Sequence, residues 1–300
     1  MKGKELRRRI RIRTAAALPP VLARLPEPLG REFCAGAGWA AHWLVARDRR
    51  LARKNLALVH RDWDAARVRR EAREVFLEIG RNVYDFVRYP ELGEAGKDRL
   101  VEVAGREHLD RIRGRGALLV TAHWGSFEVL AAHLTRMGYP LTALARPLRE
   151  AGLDALLVRH RRRMGVATFA STESPRRAVR HLRSGGMLGV LIDHRIRKGG
   201  VTVQFFGRPT RVTDGPARLA LATGCPILPL GIRRLENNRH RITVRPPLPT
   251  PGSGDRVTAL TQAAVGALEE MIRTAPRQWI WIHPRWEESA GVPSDNGTSP

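Results

Sequence analysis

Cysteine is scarce in this 300-residue chain: only Cys34 and Cys225 occur, in no CxxC or Cys/His cluster. That excludes a disulfide framework, argues against a structural zinc site and suits a reducing compartment. Aromatic residues are 6% of the total, too few to read as the stacking platforms of a single-strand nucleic-acid binder. Acidic residues number 29 against 53 Lys plus Arg, so an acidic disordered chain is excluded as well. Long apolar runs are also missing. The uncharged stretch from Phe33 to Ala46 falls short of the roughly 20 residues a spanning helix needs. A basic start followed by apolar residues suggests a signal peptide, but Pro19, Pro20 and Arg24 interrupt the apolar part. There is no Walker lysine loop, no GxSxG elbow and no HExxH.

Positive charge is what the chain has in excess. A net charge of +24 calls for an anionic partner: a phosphate backbone, an anionic lipid or an acidic protein. Lys and Arg crowd the segment Met1 to Arg13, where Glu5 is the only acid. We read this as a basic, partly apolar N-terminal region lying on an anionic membrane face, against a solvated arm plus a buried helix. The clusters Arg47–Lys54 and Arg159–Arg163 lack interleaved aromatics and read as solvated faces. Gly36-Ala-Gly38-Trp-Ala-Ala41 fits GxGxxA, but no strand precedes it, which makes it a helix-packing pattern.

Residues 1–95 read as a basic helical, membrane-associating region. Val68, Ala72, Val75, Phe76, Ile79 and Val83 form one apolar helical stripe, with Asp62 or Asp64 as N-cap and Pro90 and Gly93 at its end. Over 96–287 short apolar runs alternate with helical segments. Strands are expected at Ala117–Ala122, Leu141–Ala145, Val166–Ala170, Met187–Ile192 and Ile227–Ile232. Helices are expected at Phe127–Met137, Ala151–Met164, Pro175–Ser184, Gly215–Thr223 and Val257–Ile272. The alternation predicts an α/β domain with a mostly parallel central sheet flanked by helices. Residues 288–300 read as a disordered tail.

The chemistry concentrates at His123-Trp-Gly-Ser-Phe-Glu128. The apolar run ends at Ala122, so His123 sits at the carboxyl end of a buried strand, where open α/β sheets bind ligands. On one continuous helix the His123 and Glu128 side chains diverge. They meet only if Trp124-Gly125-Ser126 form a turn, with Gly125 supplying the tight backbone and Ser126 capping the helix that follows. A carboxylate on one imidazole nitrogen fixes the tautomer and leaves the other nitrogen as a base. The pair alone is a common coincidence.

HWGSFE resembles the His-x4-Asp/Glu motif of glycerolipid-type acyltransferases, and the chain is similar to the bacterial lipid A biosynthesis acyltransferase family, lauroyl/myristoyl type. Further stretches agree in order: RRLARKNLALV at 49–59, Thr142-Ala-Leu-Ala-Arg146-Pro147, Val190-Leu-Ile-Asp193-His194-Arg195, Phe205-Phe206-Gly207-Arg208-Pro209, Gly224-Cys-Pro-Ile-Leu-Pro229 and Trp281-Ile-His283-Pro-Arg285-Trp286. They span roughly residues 47–287. Arg195 stands where the family often has a second acid, and the closing segment reads HPRW rather than HRRF.

The resemblance implies transfer of a fatty acyl group from a thioester, on acyl carrier protein or coenzyme A, to a hydroxyl of an anionic glycolipid such as a lipid A precursor. Phosphatidylinositol mannosides and ornithine lipids are alternative acceptors. It implies His123 as general base oriented by Glu128, and Arg146 gripping a phosphate or carboxylate. Asp193 would position Arg195 or Arg146, with Arg218 and Arg285 as further candidates for the anionic pocket. Trp124, Phe127, Phe205 and Phe206 would line an acyl groove, while His133 and His283 read as packing residues. No cofactor beyond the acyl-carrier or acyl-CoA co-substrate, and no metal, is implied. The expected partners are the donor, the acceptor and an anionic membrane surface, not nucleic acid. The expected location is the cytoplasmic face of a bacterial inner membrane, held peripherally or monotopically. The competing readings are a basic nucleic-acid-binding protein and a lipid-binding scaffold without turnover.

Overall fold

The computed structural model describes residues 2–172 and 174–286; the predicted tail lies outside them. Four helices come first: α1 (Lys2–Arg24), α2 (Glu27–Leu44), α3 (Ala46–Val59) and α4 (Ala65–Arg88). Asp64 caps α4, its carboxylate accepting from the Arg67 N–H at 2.6 Å. Next come α5 (Glu94–Leu100), β1 (Val101–Ala104), α6 (Arg106–Asp110), β2 (Ala117–Thr121), α7 (Phe127–Arg136), β3 (Leu141–Ala145) and α8 (Ala151–Arg163). The chain continues through β4 (Ala167–Ala170), α9 (Pro175–Arg183), β5 (Met187–Leu191), β6 (Val201–Phe205), β7 (Arg208–Val212), α10 (Gly215–Thr223), β8 (Ile227–Arg234), β9 (His240–Val244) and α11 (Arg256–Thr274).

The seven-stranded sheet has the order β1-β9-β8-β2-β5-β3-β4. Strands β8, β2, β5, β3 and β4 are parallel; β9 runs antiparallel to β8, and β1 follows β9. The α/β fold with a mostly parallel sheet is therefore present. Two features were not expected. One is the edge pair β9 and β1. The other is the β6–β7 hairpin, which turns at Phe206-Gly207 with positive φ at both residues.

Strand β2 is buried on both faces, as a central parallel strand requires. Leu118 and Val120 join one apolar cluster, with α4, α10 and α11, while Ala117 and Leu119 join the other, under α7. The parallel pairing aligns Thr121 with Leu191, so the residues two positions beyond each strand, His123 and Asp193, emerge level. This register positions the site.

The helical layer is joined to the sheet by a buried ionic cluster. Asp85 of α4 lies 2.7 Å from Arg234 of β8, 3.1 Å from His240 of β9, and accepts from the Ser126 hydroxyl at 2.7 Å. Arg234 also reaches Glu78 at 3.2 Å. Burial by itself would raise the Asp85 carboxyl, but Arg234 and His240 hold it far below the usual carboxylate range.

Candidate active site

Beyond β2 the chain turns sharply. Gly125 adopts φ +58°, and a Cβ there would stand 2.0 Å from the Ile232 carbonyl oxygen, so the turn requires glycine. The backbone of this turn is tied to the closing segment: Gly125 N–H donates to Gln278 O at 2.9 Å, and Ile280 N–H donates to His123 O at 3.0 Å. Ser126 precedes α7 as expected but does not cap it through its side chain. Its hydroxyl goes instead to Asp85 and Asn82.

Within this frame the partner of His123 is Asp193. His123 Nδ1 lies 2.8 Å from one Asp193 oxygen, and the His123 backbone N–H donates to the other at 3.0 Å. Trp279 Nε1–H donates to that second oxygen at 2.8 Å, and Arg285 Nη1 at 3.0 Å. Arg285 also donates to the Asp193 carbonyl and, at 2.9 Å, to Ile280 O. Burial pushes the Asp193 carboxyl up, but the His123 and Arg285 charges outweigh it and hold the group well below the usual range. An ionised carboxylate only accepts, so Nδ1 donates to it, and whenever the ring is neutral the free lone pair is on Nε2.

Two more histidines stand beside His123. His194 stacks on it with ring centroids 4.2 Å apart and planes 13° off parallel; His283 meets His194 edge-on at 4.7 Å. Burial, reinforced by neighbouring positive charge, lowers His194 to about 3 and His283 to about 4, so both are neutral imidazoles near pH 7. His123, Asp193 and His194 each bring a potential metal-ligand atom within 4.8 Å of the others. The donor set does not favour a cation. Stacked rings direct their in-plane lone pairs side by side, and Arg285 already neutralises the carboxylate.

The expectation that Glu128 orients His123 is corrected. Glu128 starts α7 and faces Arg161 of α8, which grips it through Nε at 2.9 Å and Nη2 at 2.5 Å. A bidentate guanidinium consumes the carboxylate.

A model of the family described as bacterial lipid A biosynthesis acyltransferase matches residues 5–288. The chain belongs to that family. It is 31% identical over 177 residues to a phosphatidylinositol mannoside acyltransferase of Mycolicibacterium smegmatis, covering 58% of this chain and 57% of that protein. It is 30% identical over 190 residues to a protein of the same name from Mycobacterium tuberculosis, covering 61% and 59%. The chain thus matches a little under three fifths of each relative's length. A solved 1-acyl-sn-glycerophosphate acyltransferase from Thermotoga maritima aligns with TM-score 0.38 and 16% identity over 64% of this chain and 82% of that one.

In this lipid A acyltransferase family member the other expected site residues fall in different places. Arg146 is exposed, directly after β3, and Arg195 follows the Asp193-His194 pair half-buried. The Asp193 oxygens serve His123, Trp279 and Arg285. Arg285 is fully buried, so it supports Asp193 instead of meeting an anion. Arg218 of α10 is paired with Asp214, the residue just before that helix, at 2.7 Å. The groove assignment is corrected for three aromatics. Trp124, Phe205 and Phe206 are buried with Trp279 and Trp281 in the core, where apolar surface beyond the strand ends is best covered. Phe127 does line open space. It and Glu128 border two apolar spaces: a narrow cavity between the sheet and α7, reaching Leu119, Gly189 and Leu230, and an open groove walled by Ile79, Val83 and Phe86 of α4. His133 is a packing residue, its Nδ1 3.0 Å from the Tyr89 hydroxyl.

Sequence reasoning missed the His123–Asp193 bond although both residues were singled out. The signal was that each stands two positions beyond an apolar strand. What was missing was knowledge that the two strands are neighbours.

Proposed function

We propose that this protein transfers a fatty acyl group from a thioester to a hydroxyl of an anionic glycolipid. The observation that carries the reading is the 2.8 Å bond from His123 to a buried, charge-compensated Asp193 beside apolar spaces fit for a chain. His123 Nε2 takes the proton of the acceptor hydroxyl as its oxygen bonds to the thioester carbonyl carbon. The tetrahedral adduct then expels the thiolate, which recovers the proton from the imidazolium. Asp193 holds the ring in the productive tautomer and stabilises its positive charge in between. Base catalysis of this kind supplies about 10²–10⁴-fold. Glu128, locked by Arg161, marks the polar border between cavity and groove, and Phe127 forms part of both walls. The acyl chain lies in these spaces.

The donor is an acyl-acyl carrier protein or acyl-CoA, and Arg146 at the open strand end meets an anionic group of donor or acceptor. A lipid A precursor and a phosphatidylinositol mannoside both fit the acceptor class; the family description names the first and the relatives' names carry the second. The site of action is an anionic membrane surface on the cytoplasmic side. Among the described residues no helix is long and apolar enough to cross a membrane.

The test is transfer by purified full-length protein from acyl-CoA and from acyl-acyl carrier protein to each glycolipid, read by mass spectrometry. His123→Ala abolishes transfer without unfolding the chain. Full transfer by a folded His123→Ala variant rejects the base, and salt-sensitive duplex binding without any transfer favours the nucleic-acid reading.

A further inference from the structure

The cavity between the sheet and α7 contains a polar group that the fold does not use. Three of its lining residues have polar side chains: Glu128, Arg161 and Thr121. The first two saturate one another through their bidentate pair. Thr121 is different. It is 7% exposed, and its Oγ1 is buried with no hydrogen-bond partner among the described residues. A hydroxyl buried and unpaired has lost its water and gained nothing, which destabilises the fold. Valine has nearly the same outline, suits a central strand equally well and carries no such penalty.

The strand shows what this hydroxyl is placed to meet. Alternation along β2 sends Leu118, Val120 and Ala122 into one apolar cluster and leaves Leu119, Thr121 and His123 on the α7 side. On the neighbouring strand β5, Gly189 and Leu191 line the same cavity, and Asp193 is the next residue of that alternation. The register pairs Leu119 with Gly189 and Thr121 with Leu191, and it continues where Ile192 N–H donates to Thr121 O at 3.1 Å. The cavity floor is therefore a ladder whose last rung is the His123–Asp193 pair. Rungs on one face are about 6–7 Å apart, so Thr121 stands one step below the base. Phe127, which also lines the cavity, lies edge-on to His123 at 5.1 Å, which puts the cavity mouth beside the imidazole.

We infer that the Thr121 hydroxyl is a further catalytic group, donating a hydrogen bond to the thioester carbonyl oxygen of the acyl donor. The assignment rests on the acyl-transfer reading. A carbonyl group set between the two rungs lies about 3 Å from each, close enough for attack at its carbon and donation to its oxygen. As the acceptor oxygen bonds to that carbon, the C=O electron pair moves onto the carbonyl oxygen, which becomes an anion. Thr121 keeps its proton and donates to this stronger acceptor. When the C–S bond breaks, the pair returns, C=O re-forms and the thiolate leaves with the proton held by His123. Apolar walls strengthen the bond relative to water. The acyl chain then runs down the ladder past Leu191, Leu119 and Gly189.

The test compares wild type, Thr121→Val and Thr121→Ser in transfer to a detergent-solubilised glycolipid, with thermal unfolding measured alongside. Thr121→Val is expected to lower kcat about 10²–10³-fold with little change in KM or in the pH profile. Its Tm is expected to equal or exceed that of wild type, because an unpaired buried hydroxyl has been replaced by a methyl group. Thr121→Ser keeps the donor and is expected to retain most of the rate. A second readout needs no turnover. The dodecanoyl thioester of pantetheine, the moiety that coenzyme A and acyl carrier protein share, is isotope-labelled at its carbonyl carbon and bound to His123→Ala. Its infrared carbonyl band is expected to shift to lower frequency than in an apolar solvent, and adding Thr121→Val is expected to abolish the shift. Wild-type kcat in Thr121→Val overturns the inference and leaves acyl transfer standing. So does a fall in Tm with kcat unchanged, which makes the hydroxyl structural. Absence of transfer by every form sinks the acyl-transfer reading; the carbonyl band then decides the contact alone, and a band indifferent to Thr121→Val overturns it.

Discussion

A carboxylate surrounded by four N–H donors has little freedom, and Asp193 hands that rigidity to His123. The pair differs in kind from Glu128–Arg161, which joins α7 to α8 and leaves the imidazole alone. Asp193→Asn removes the charge that stabilises the imidazolium and leaves Arg285 buried without compensation. The expected result is a fall of about 10²–10⁴ in kcat with little change in KM, and a stability loss of about 3–5 kcal/mol by urea titration. A kcat within a factor of a few of wild type would remove Asp193 from the mechanism. Glu128→Gln and Arg161→Met are expected to be strongly coupled, the double variant being no worse than either single one, whereas Glu128→Gln and Asp193→Asn should combine nearly additively in log kcat/KM. The opposite pattern of coupling returns Glu128 to the side of His123.

Among the elements, β2, β5 and α7 carry the apolar cavity as well as the dyad. Gly189 of β5 lines this cavity, and a Cβ there meets nothing nearer than Leu141 at 3.5 Å, so a larger side chain enters the empty space without displacing backbone. Gly189→Val is accordingly expected to shift donor preference toward shorter acyl chains while transfer of the short chain persists; an unchanged chain-length profile would take the acyl chain out of this cavity. Gly125→Ala has the reverse character. The left-handed backbone costs roughly 1–2 kcal/mol for a residue with a Cβ, and the overlap with Ile232 O adds to it. Thermal unfolding of this variant should begin several degrees below wild type, together with loss of activity, because the turn that aims His123 is the part displaced.

At the scale of the whole molecule, burial sets a pH dependence. His133 and His283 are lowered to about 4 and His194 to about 3, with desolvation as the main cause in each. The unfolded chain takes protons on its histidines near pH 6.5; the folded one refuses them until about pH 3–4. Below pH 6.5 the unfolded state therefore binds more protons, and stability falls as pH drops toward 4 while remaining level above neutrality. Asp193 and Asp85, both held low, keep their charge through this window and weaken the fold only in stronger acid. Tm measured in low-salt buffers from pH 7.5 to 4.5 should fall progressively below pH 6.5; a flat profile would show that these histidines are not buried neutral.

Much of this architecture is written locally. The apolar run at Ala117, the stripe on α4 with its Asp64 cap, and the need for a glycine turn after His123 follow from side-chain periodicity and backbone sterics, which act over a few residues. The motif series that resembles the acyltransferase family is equally local, and it pointed to the right family. The edge strand β9 had a readable signal in the alternation of His240, Ile242 and Val244, all buried, though its flanking arginines obscured it. What no local pattern carries is strand order. Inserting β5 between β2 and β3 brings Asp193, 70 residues distant, level with His123, while the placement of α8 brings Arg161 to Glu128. Choice of partner at the site was thus made by non-local pairing, and the burial of Trp124, Phe205 and Phe206 by the volume left to fill beyond the strand ends; neither quantity exists until the chain has closed on itself.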